Sequence, residues 1–359
     1  MQIKKKIIKL NKLYIIFLSF VLFINIILTT SLSANTFKIT DIEISKPFDL
    51  KFNKEKILDS GFKKAFIELL SMITTSGDKK KLINTPLPTI KGLIDSFTMS
   101  DEKFIDDEYF VKFDVNFNKK NTLQFFEKNN IFPSVPKKKK LMLIPIIVDI
   151  ESDKIYLFNK NIFYERWNQN NKSFFLLNYL LPSEDLDDVN ILSQNSKSIE
   201  DYDFKEITKK YDLNDYIVVI IYKNNDKLKI LSKINFNKSY KIDNQQFNKI
   251  NLSIKDDFDL VTNKLKITYE NYWKSLNQIN TSIKLPLTVS LKSYDYEKIQ
   301  IFQTSLDQLD LVSSYEILRF NNKNVYFKVI YNGSPNKFLN NMRKKKIIIE
   351  TENQTWEIK

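Results

Sequence analysis

The sequence predicts an α+β fold in three parts, with a central α/β domain flanked by two small β-α-β-α-β units. Stretches in which every second residue is apolar alternate with stretches in which apolar residues recur at helical spacing. Residues 216–222 are apolar throughout, which is typical of a strand buried on both faces. With 43% hydrophobic and 28% charged residues, the chain has the balance of a globular protein rather than a disordered one.

The amino-terminal unit opens with a half-buried strand over residues 37–44, where apolar and polar residues alternate. Apolar residues at helical spacing predict a helix over residues 54–74, which Gly77 is expected to end. A short helix over residues 89–97 should precede a second strand, and a helix over residues 121–129 should follow it. That second strand is marked by the apolar residues Phe110, Val111, Phe113, Val115 and Phe117.

The carboxyl-terminal unit is expected to repeat this order of elements. Its predicted elements are strands over residues 286–293, 324–331 and 345–350 and helices over residues 296–309 and 335–342. Residues 113–118 correspond to residues 327–332, and each segment is followed by a turn, a short helix, a lysine run and an apolar strand. We interpret the two units as copies of one motif, with chance similarity in a chain rich in Ile, Phe and Lys as the competing explanation.

The central segment has a different α/β pattern. Its predicted elements are strands over residues 141–149, 216–222 and 228–234, an apolar stretch over residues 174–181, and helices over residues 161–169, 184–192 and 202–211. The residues Asn224, Asn225 and Asp226 predict a hairpin turn between the last two strands. A long amphipathic helix closes the segment, with one apolar face formed by Ile254, Phe258, Val261, Leu265, Tyr272 and Leu276.

The first 34 residues have the pattern of a secretory signal peptide. A basic start is followed by an apolar run over residues 13–28 and then by small residues at 31–34. The apolar run is shorter than the ~20 residues that span a bilayer comfortably, so we expect cleavage after Ser33 or Ala34. The alternative is an uncleaved inner-membrane anchor, because Thr29, Thr30 and Leu32 could lengthen the span. No later segment has an apolar run of membrane-spanning length.

These patterns divide the chain into four segments. Residues 1–34 are the expected signal peptide, and residues 35–139 form the amino-terminal β-α domain. Residues 140–282 form the central α/β domain, and residues 283–359 form the carboxyl-terminal β-α domain. The expected location is the periplasm, or the inner membrane facing the periplasm if the signal is not cleaved.

Three segments resemble an uncharacterised family of exported proteobacterial proteins that carry a domain of unknown function after the signal peptide. They are KKAFIELL at residues 63–70, LPSEDLDD at residues 181–188, and the helix, Tyr211 and apolar strand of residues 207–222. The strand at residues 141–149 departs from that pattern, since it holds Pro145 where an aromatic-rich strand would be expected. The central segment is also similar to small α/β domains of proteins that assemble at the outer membrane. The resemblance implies compartment and fold, and it implies no enzymatic activity.

The composition excludes several chemistries. The chain has no cysteine and no histidine, so it has no thiol nucleophile, no disulfide, no catalytic Ser-His-Asp arrangement and no His or Cys zinc site. It has only four glycines and no glycine-rich phosphate loop. Carboxylate, Lys, Tyr and Ser chemistry stays open. The sequence designates no catalytic, cofactor-binding or metal-binding residue, and we expect no cofactor.

Clusters of like charge have functional and structural interpretations. Lysine runs at residues 79–81 and 137–140 and the basic run at residues 343–346 could contact anionic partners, or they could be solvated segments that flank strands. Arginine is scarce and no nucleic-acid-binding motif is present, so we expect no nucleic acid partner. The acids at positions 184, 185, 187 and 188 favour a helix start capped by Ser183 over a carboxylate or calcium site. For Trp273 we expect core packing rather than a role in a sugar or peptide groove.

The sequence thus favours an exported, non-enzymatic protein of the cell envelope that acts in binding, scaffolding or assembly through sheet edges and domain surfaces. Its expected partners are envelope proteins, peptidoglycan or a membrane surface, and its oligomeric state stays open. Two alternatives remain. One is a periplasmic hydrolase or sugar-binding protein that uses paired carboxylates. The other is an inner-membrane protein held by its uncleaved amino-terminal segment.

Overall fold

The computed structural model describes residues 37–50, 52–169, 172–352 and 355–359. The expected signal peptide lies outside these residues. The described residues are 35% helix and 35% strand, arranged in three sheets, so the predicted α+β class is confirmed. They belong to one compact unit.

The amino-terminal unit is a three-stranded antiparallel sheet with helices. Its strands are β1 (Lys38–Pro47), β2 (Ile94–Ile105) and β3 (Glu108–Phe117), in the order β1-β3-β2. Its helices are α1 (Lys54–Ile73), α2 (Ser76–Leu82), α3 (Leu87–Leu93) and α4 (Lys119–Lys128). The side chain of Asn53 caps α1 by accepting from the backbone N–H groups of Glu55 and Lys56, and the helix buries a stripe of apolar residues against the sheet.

The carboxyl-terminal unit has a similar arrangement in its first five elements, with one helix where the amino-terminal unit has three. These five elements are β10 (Leu285–Lys292), α9 (Tyr296–Asp307), β11 (Val312–Phe320), β12 (Asn324–Tyr331) and α10 (Pro335–Lys344). Its third strand also lies between the first two, in the order β11-β12-β10, and all three are antiparallel. Two short strands, β13 (Ile349–Glu350) and β14 (Trp356–Ile358), extend this sheet beyond β10. The aligned segments 113–118 and 327–332 fall on the two central strands and the residues that follow them.

Each unit contains an edge strand that the predicted β-α-β-α-β order lacks, so this order is wrong. The observed order is β-α-β-β-α in the first five elements of the carboxyl-terminal unit and β-α-α-α-β-β-α in the amino-terminal unit. The strand missed in both is the edge strand that precedes the central one, β2 or β11. Most β2 side chains are exposed, so the strand has no alternation of buried and polar positions to detect. Gly77 does not end α1. That helix ends at Ile73, and Gly77 lies inside α2.

The central sheet contains six strands, in the order β5-β4-β7-β8-β9 with β6 also paired to β4. They are β4 (Lys139–Asp149), β5 (Lys154–Tyr156), β6 (Leu177–Leu180), β7 (Tyr216–Asn224), β8 (Lys227–Phe236) and β9 (Ser239–Phe247). The strands β6, β4 and β7 are parallel, and the others are antiparallel to their neighbours. The sequence predicted β4, β7 and β8 and missed β5 and β9.

Helices cover both faces of the parallel part of the central sheet. One face packs on α5 (Ile162–Arg166) and the long helix α8 (Lys255–Leu276), and the predicted core position of Trp273 on α8 is confirmed. The opposite face packs on α6 (Leu186–Gln194) and α7 (Lys205–Lys209). Because β7 is covered on both sides, its residues from Tyr216 to Ile221 are all buried, as the apolar run predicts.

Pro145 lies in a short stretch of β4 that has no strand partner on the side opposite β7. The strand β6 pairs with residues 139–142 of β4, and β5 pairs with residues 147–149 along the same edge. A proline has no N–H to donate to a sheet, so it fits between these two partners. The side-chain amide of Asn161 donates to the carbonyl of Pro145 over 3.0 Å and so satisfies that acceptor.

The amino- and carboxyl-terminal units share one apolar core, while the central sheet has a separate core on each face. The ammonium of Lys119 at the start of α4 donates to the carbonyl of Leu309 in the carboxyl-terminal unit over 2.7 Å. The division into three separate domains stays a prediction. No helix of the described residues combines the length and apolar character needed to cross a membrane.

Candidate functional site: the open face of the central sheet

One half of the central sheet has a face that helices cover only at its inner border, where Leu231 packs against the core under α6 and α7 and Lys233 lies 5.9 Å from the centre of the Phe204 ring. We call it the open face, and its residues are Lys229, Leu231, Lys233 and Asn235 of β8 and Tyr240, Ile242, Asn244 and Gln246 of β9. These residues form four directly opposed cross-strand pairs, so their side chains project from the same side of the sheet. The neighbouring strand β7 continues this side with Val218 and Ile220, which are buried under α6 and α7.

The open face exposes apolar and amide side chains together. Tyr240 is 54% exposed and Ile242 is 51% exposed, whereas the opposite face of the same two strands is packed on α8. Exposed aromatic and branched apolar residues beside side-chain amides are suited to contact a peptide, since the amides can bond its backbone. The open face is therefore a candidate binding surface.

The local sequence positions the open face through two tight hairpins. The first joins β7 to β8 at Asn225 and Asp226, as predicted, and Asn225 has a φ of 51°. The second joins β8 to β9 through Asn237 and Lys238, whose φ angles are 51° and 67°. Positive φ at both central residues is the signature of a type I′ turn, which matches the twist of the flanking strands. The turns thus fix the register of the whole face.

A cleft adjoins the open face where β7 begins and β8 ends. It has a volume of about 560 Å³ and is bordered by Lys205 and Lys209 of α7, by Lys238 of the turn and by Asn235 of the open face. The one carboxylate in its wall, Asp215, is paired with Lys139 and accepts the backbone N–H of Asn237 over 2.6 Å. Since that negative charge is already compensated, the cleft is basic.

The lysines around the open face and the cleft are largely uncompensated. Lys205 lies 3.6 Å from a carboxylate oxygen of Asp203. In the part of the chain that the structure describes, no ion pair is formed by the other four, Lys209, Lys229, Lys233 and Lys238. This side of the sheet therefore carries an excess of positive charge, which would attract an anionic partner.

The free edge of β9 is the second notable feature of this region. The nine residues of β9 pair with β8 in an unbroken register. The other long edge strands of the described residues, β1, β2 and β11, all contain register shifts, and the edge strands β5, β6 and β13 have four residues or fewer. Bulges and short lengths are common ways of protecting sheet edges, so β9 is the edge best formed to pair with another strand.

The predicted basic runs lie on separate elements. In the first, the ammonium of Lys79 donates to the Ser71 hydroxyl over 2.6 Å, and Lys81 pairs with Asp78 at 2.7 Å. In the second, Lys139 pairs with Asp215 in the cleft wall. The third run ends α10, and Lys345 bonds the side chain of Gln308. The lysines of the open face belong to none of these runs.

The acidic cluster starts helix α6, as predicted, but the capping residue is different. Asp185, not Ser183, caps the helix and accepts from the backbone N–H of Asp187. The ammonium of Lys210 lies 2.7 Å from an oxygen of Asp185 and 2.7 Å from an oxygen of Asp188. This contact lowers the pKa of Asp185 and raises that of Lys210. Among the described residues no group of acids is arranged to hold a metal ion.

A buried ionic stripe on α8 is a feature that the sequence analysis missed. Lys266, Glu270 and Lys274 are four residues apart, and each is at most 5% exposed. Glu270 accepts the backbone N–H groups of Leu176 and Leu177, Lys266 donates to the carbonyl of Trp167, and Lys274 donates to the carbonyl of Ser71. Burial lowers the pKa of both lysines to about 8 and raises that of Glu270. A charged side chain at every fourth position of one helix was the available sequence signal.

The open face itself was missed because β9 was missed. Its sequence signal was the pair of turn-forming residues at positions 237 and 238 after a strand, followed by apolar residues at positions 240 and 242.

No family model matches the chain, and no curated protein matches it. The resemblance to an exported family stays a prediction.

Proposed function

We propose that this is an exported protein of the cell envelope that binds an acidic segment of another envelope protein on its open face. The observation that carries the proposal is the largely uncovered half of the central sheet, where Tyr240 and Ile242 are exposed among lysines that lack carboxylate partners. The function is therefore binding or assembly, without a chemical step.

The charge of the region favours an acidic partner. A segment with several Asp or Glu residues would place carboxylates near Lys229 and Lys233, and its end could enter the cleft beside Lys209 and Lys238. Such contacts raise the association rate and set specificity, and they weaken as salt screens the charges.

The other side chains of the surface favour a protein segment over a membrane. Asn235, Asn244 and Gln246 offer amide donors and acceptors that match a peptide backbone. The adjoining cleft is concave, whereas a surface that binds lipid head groups through lysines has no need of a cleft. A membrane surface is thus the competing outcome in the test.

The test is photo-crosslinking in the native bacterial host. A photo-reactive amino acid replaces Lys229 on the open face or, as the matched control, Lys337 on α10, which is also an exposed lysine. We expect a specific crosslink to one envelope protein from position 229 only. Lys209→Glu and Lys233→Glu are then introduced into the protein that carries the photo-reactive residue at position 229. Each reversed charge should weaken binding about fivefold, and a higher salt concentration should also weaken it.

The comparison variant for charge reversal is Lys337→Glu, which should leave the crosslink unchanged. The proposal is wrong if position 229 crosslinks only to lipid, or if position 337 gives the same products. It is also wrong if the crosslink at position 229 is insensitive to both charge reversals.

A further inference from the structure

We propose that the free edge of β9 pairs with β9 of a second copy of this chain, antiparallel and centred on Ile242. The two central sheets then form one continuous sheet. This inference concerns the strand edge, so it is independent of what binds the open face.

The first step is the direction of the backbone groups of β9. The two-residue turn at Asn237 and Lys238 makes Phe236 and Ser239 a hydrogen-bonded pair, and pairs along an antiparallel ladder alternate from there. The N–H and C=O groups of Lys241 and Asp243 therefore point toward β8. Those of Tyr240, Ile242, Asn244 and Gln246 point away from β8, toward the free edge.

The second step is the set of registers that this pattern allows. In a symmetric pair, outward-pointing residues must face outward-pointing residues of the copy. The pair can then be centred on any residue of β9. A centre on Asn244 places Lys241 opposite Phe247 and Asp243 opposite Gln245, so it forms no charge pair. Centring on Lys241 places two lysines opposite each other, and centring on Asp243 does the same with two aspartates. Like charges directly opposite each other destabilise a sheet.

Only the register centred on Ile242 pairs opposite charges. It places Lys241 opposite Asp243 of the partner subunit, and by symmetry it does so twice. Tyr240 then faces Asn244 of the partner subunit, and Ile242 faces its own copy. This self-complementary pattern is the reason for choosing a second copy over an unrelated strand, since an isologous interface requires it.

The form of the edge gives an independent argument. Long and regular edges are templates for strand addition, and β9 has neither a proline nor a bulge. Its one lysine, Lys241, is paired with Asp243 of the partner subunit in this register. Directly opposed residues share a face, so the two open faces would adjoin on one side of the joined sheet. The dimer would thus present one basic surface built from two copies.

The test uses the absence of cysteine from the chain. Ile242→Cys is made in the full-length protein, and mild oxidation is applied in cells of the native host. Opposed residues in such a pair have Cα atoms about 5.5 Å apart, which is within the range of a disulfide. We expect a covalent dimer from Ile242→Cys and none from Tyr240→Cys, because each Tyr240 would be about 13 Å along the strand from its copy.

The double variant Tyr240→Cys with Asn244→Cys should crosslink again, since these residues face each other. Lys241→Asp in the Ile242→Cys background should lower the yield about tenfold, and adding Asp243→Lys should restore it with the charges exchanged. That rescue separates pairing from folding defects, which matters because Lys241 also lies 5.0 Å from the centre of the Tyr272 ring. A monomeric Ile242→Cys, or equal crosslinking of Tyr240→Cys, would overturn the inference.

Discussion

Replacing Glu270 with alanine should destabilise the protein by about 3–5 kcal/mol. Glu270 is 2% exposed, and one of its oxygens accepts the backbone N–H groups of Leu176 and Leu177 over 2.9 and 2.8 Å. Its removal leaves these two donors unsatisfied at the start of β6, and it leaves the buried ammonium of Lys274 without its nearby negative charge. The measurement is equilibrium unfolding in urea with far-UV circular dichroism.

Two further variants separate the causes of that loss. Glu270→Gln keeps an acceptor for the two N–H groups but removes the charge, so it should be less destabilising than Glu270→Ala. Glu151→Ala changes an exposed glutamate and should alter the free energy of unfolding by less than about 0.5 kcal/mol. A loss below about 1 kcal/mol for Glu270→Ala would contradict the structural role given to this residue.

Stability should rise with pH between about 8 and 10, which is unusual for a protein. Burial lowers the pKa of Lys119, Lys266 and Lys274 to about 8, although nearby carboxylates at Asp307, Asp310, Asp259 and Glu270 oppose the shift. In the unfolded chain these lysines keep their protons up to about pH 10.4. Between these values the unfolded state binds more protons, so the free energy of unfolding increases by up to about 1.4 kcal/mol per pH unit for each lysine.

Above about pH 10 the trend should reverse. Burial raises the pKa of Tyr109, Tyr222 and Tyr269, and it raises that of Tyr315 to about 12. Unfolded tyrosines lose their protons near pH 10, so from there the unfolded state binds fewer protons than the folded state and stability falls. Urea unfolding from pH 7 to pH 11 should therefore give a maximum near pH 10. Lys274→Met should flatten the rising side, and a steady fall from pH 8 upward would refute the assignment.

The elements with a buried face could be predicted from the sequence. Helices α1 and α8 and strand β3 each bury apolar residues at a regular period, and β7 buries a continuous apolar run; both patterns are visible in the sequence. The strands β2, β9 and β11 were missed, and all three are sheet edges with largely exposed residues. Their conformation depends on pairing with a neighbour, which the sequence does not display.

The candidate site was missed for the same physical reason. Half of the open face lies on β9, and its lysines are separated along the chain, so no run of like charge marks them. The contiguous lysine runs were the candidate contacts for anionic partners instead, although they lie on separate elements. The buried stripe of Lys266, Glu270 and Lys274 was hidden in another way, since charged residues are expected on the solvent side of a helix.

The most direct test of the account is the side of the inner membrane on which the protein lies. Lys337→Cys introduces one exposed thiol into a chain that has no cysteine, and Ser232→Cys introduces a buried one as a control. Both are expressed in the native host and treated with a membrane-impermeant maleimide after the outer membrane alone is permeabilised. We predict full labelling of Lys337→Cys in these cells and labelling of Ser232→Cys only after denaturation. Labelling of Lys337→Cys that occurs only when the inner membrane is broken would contradict export.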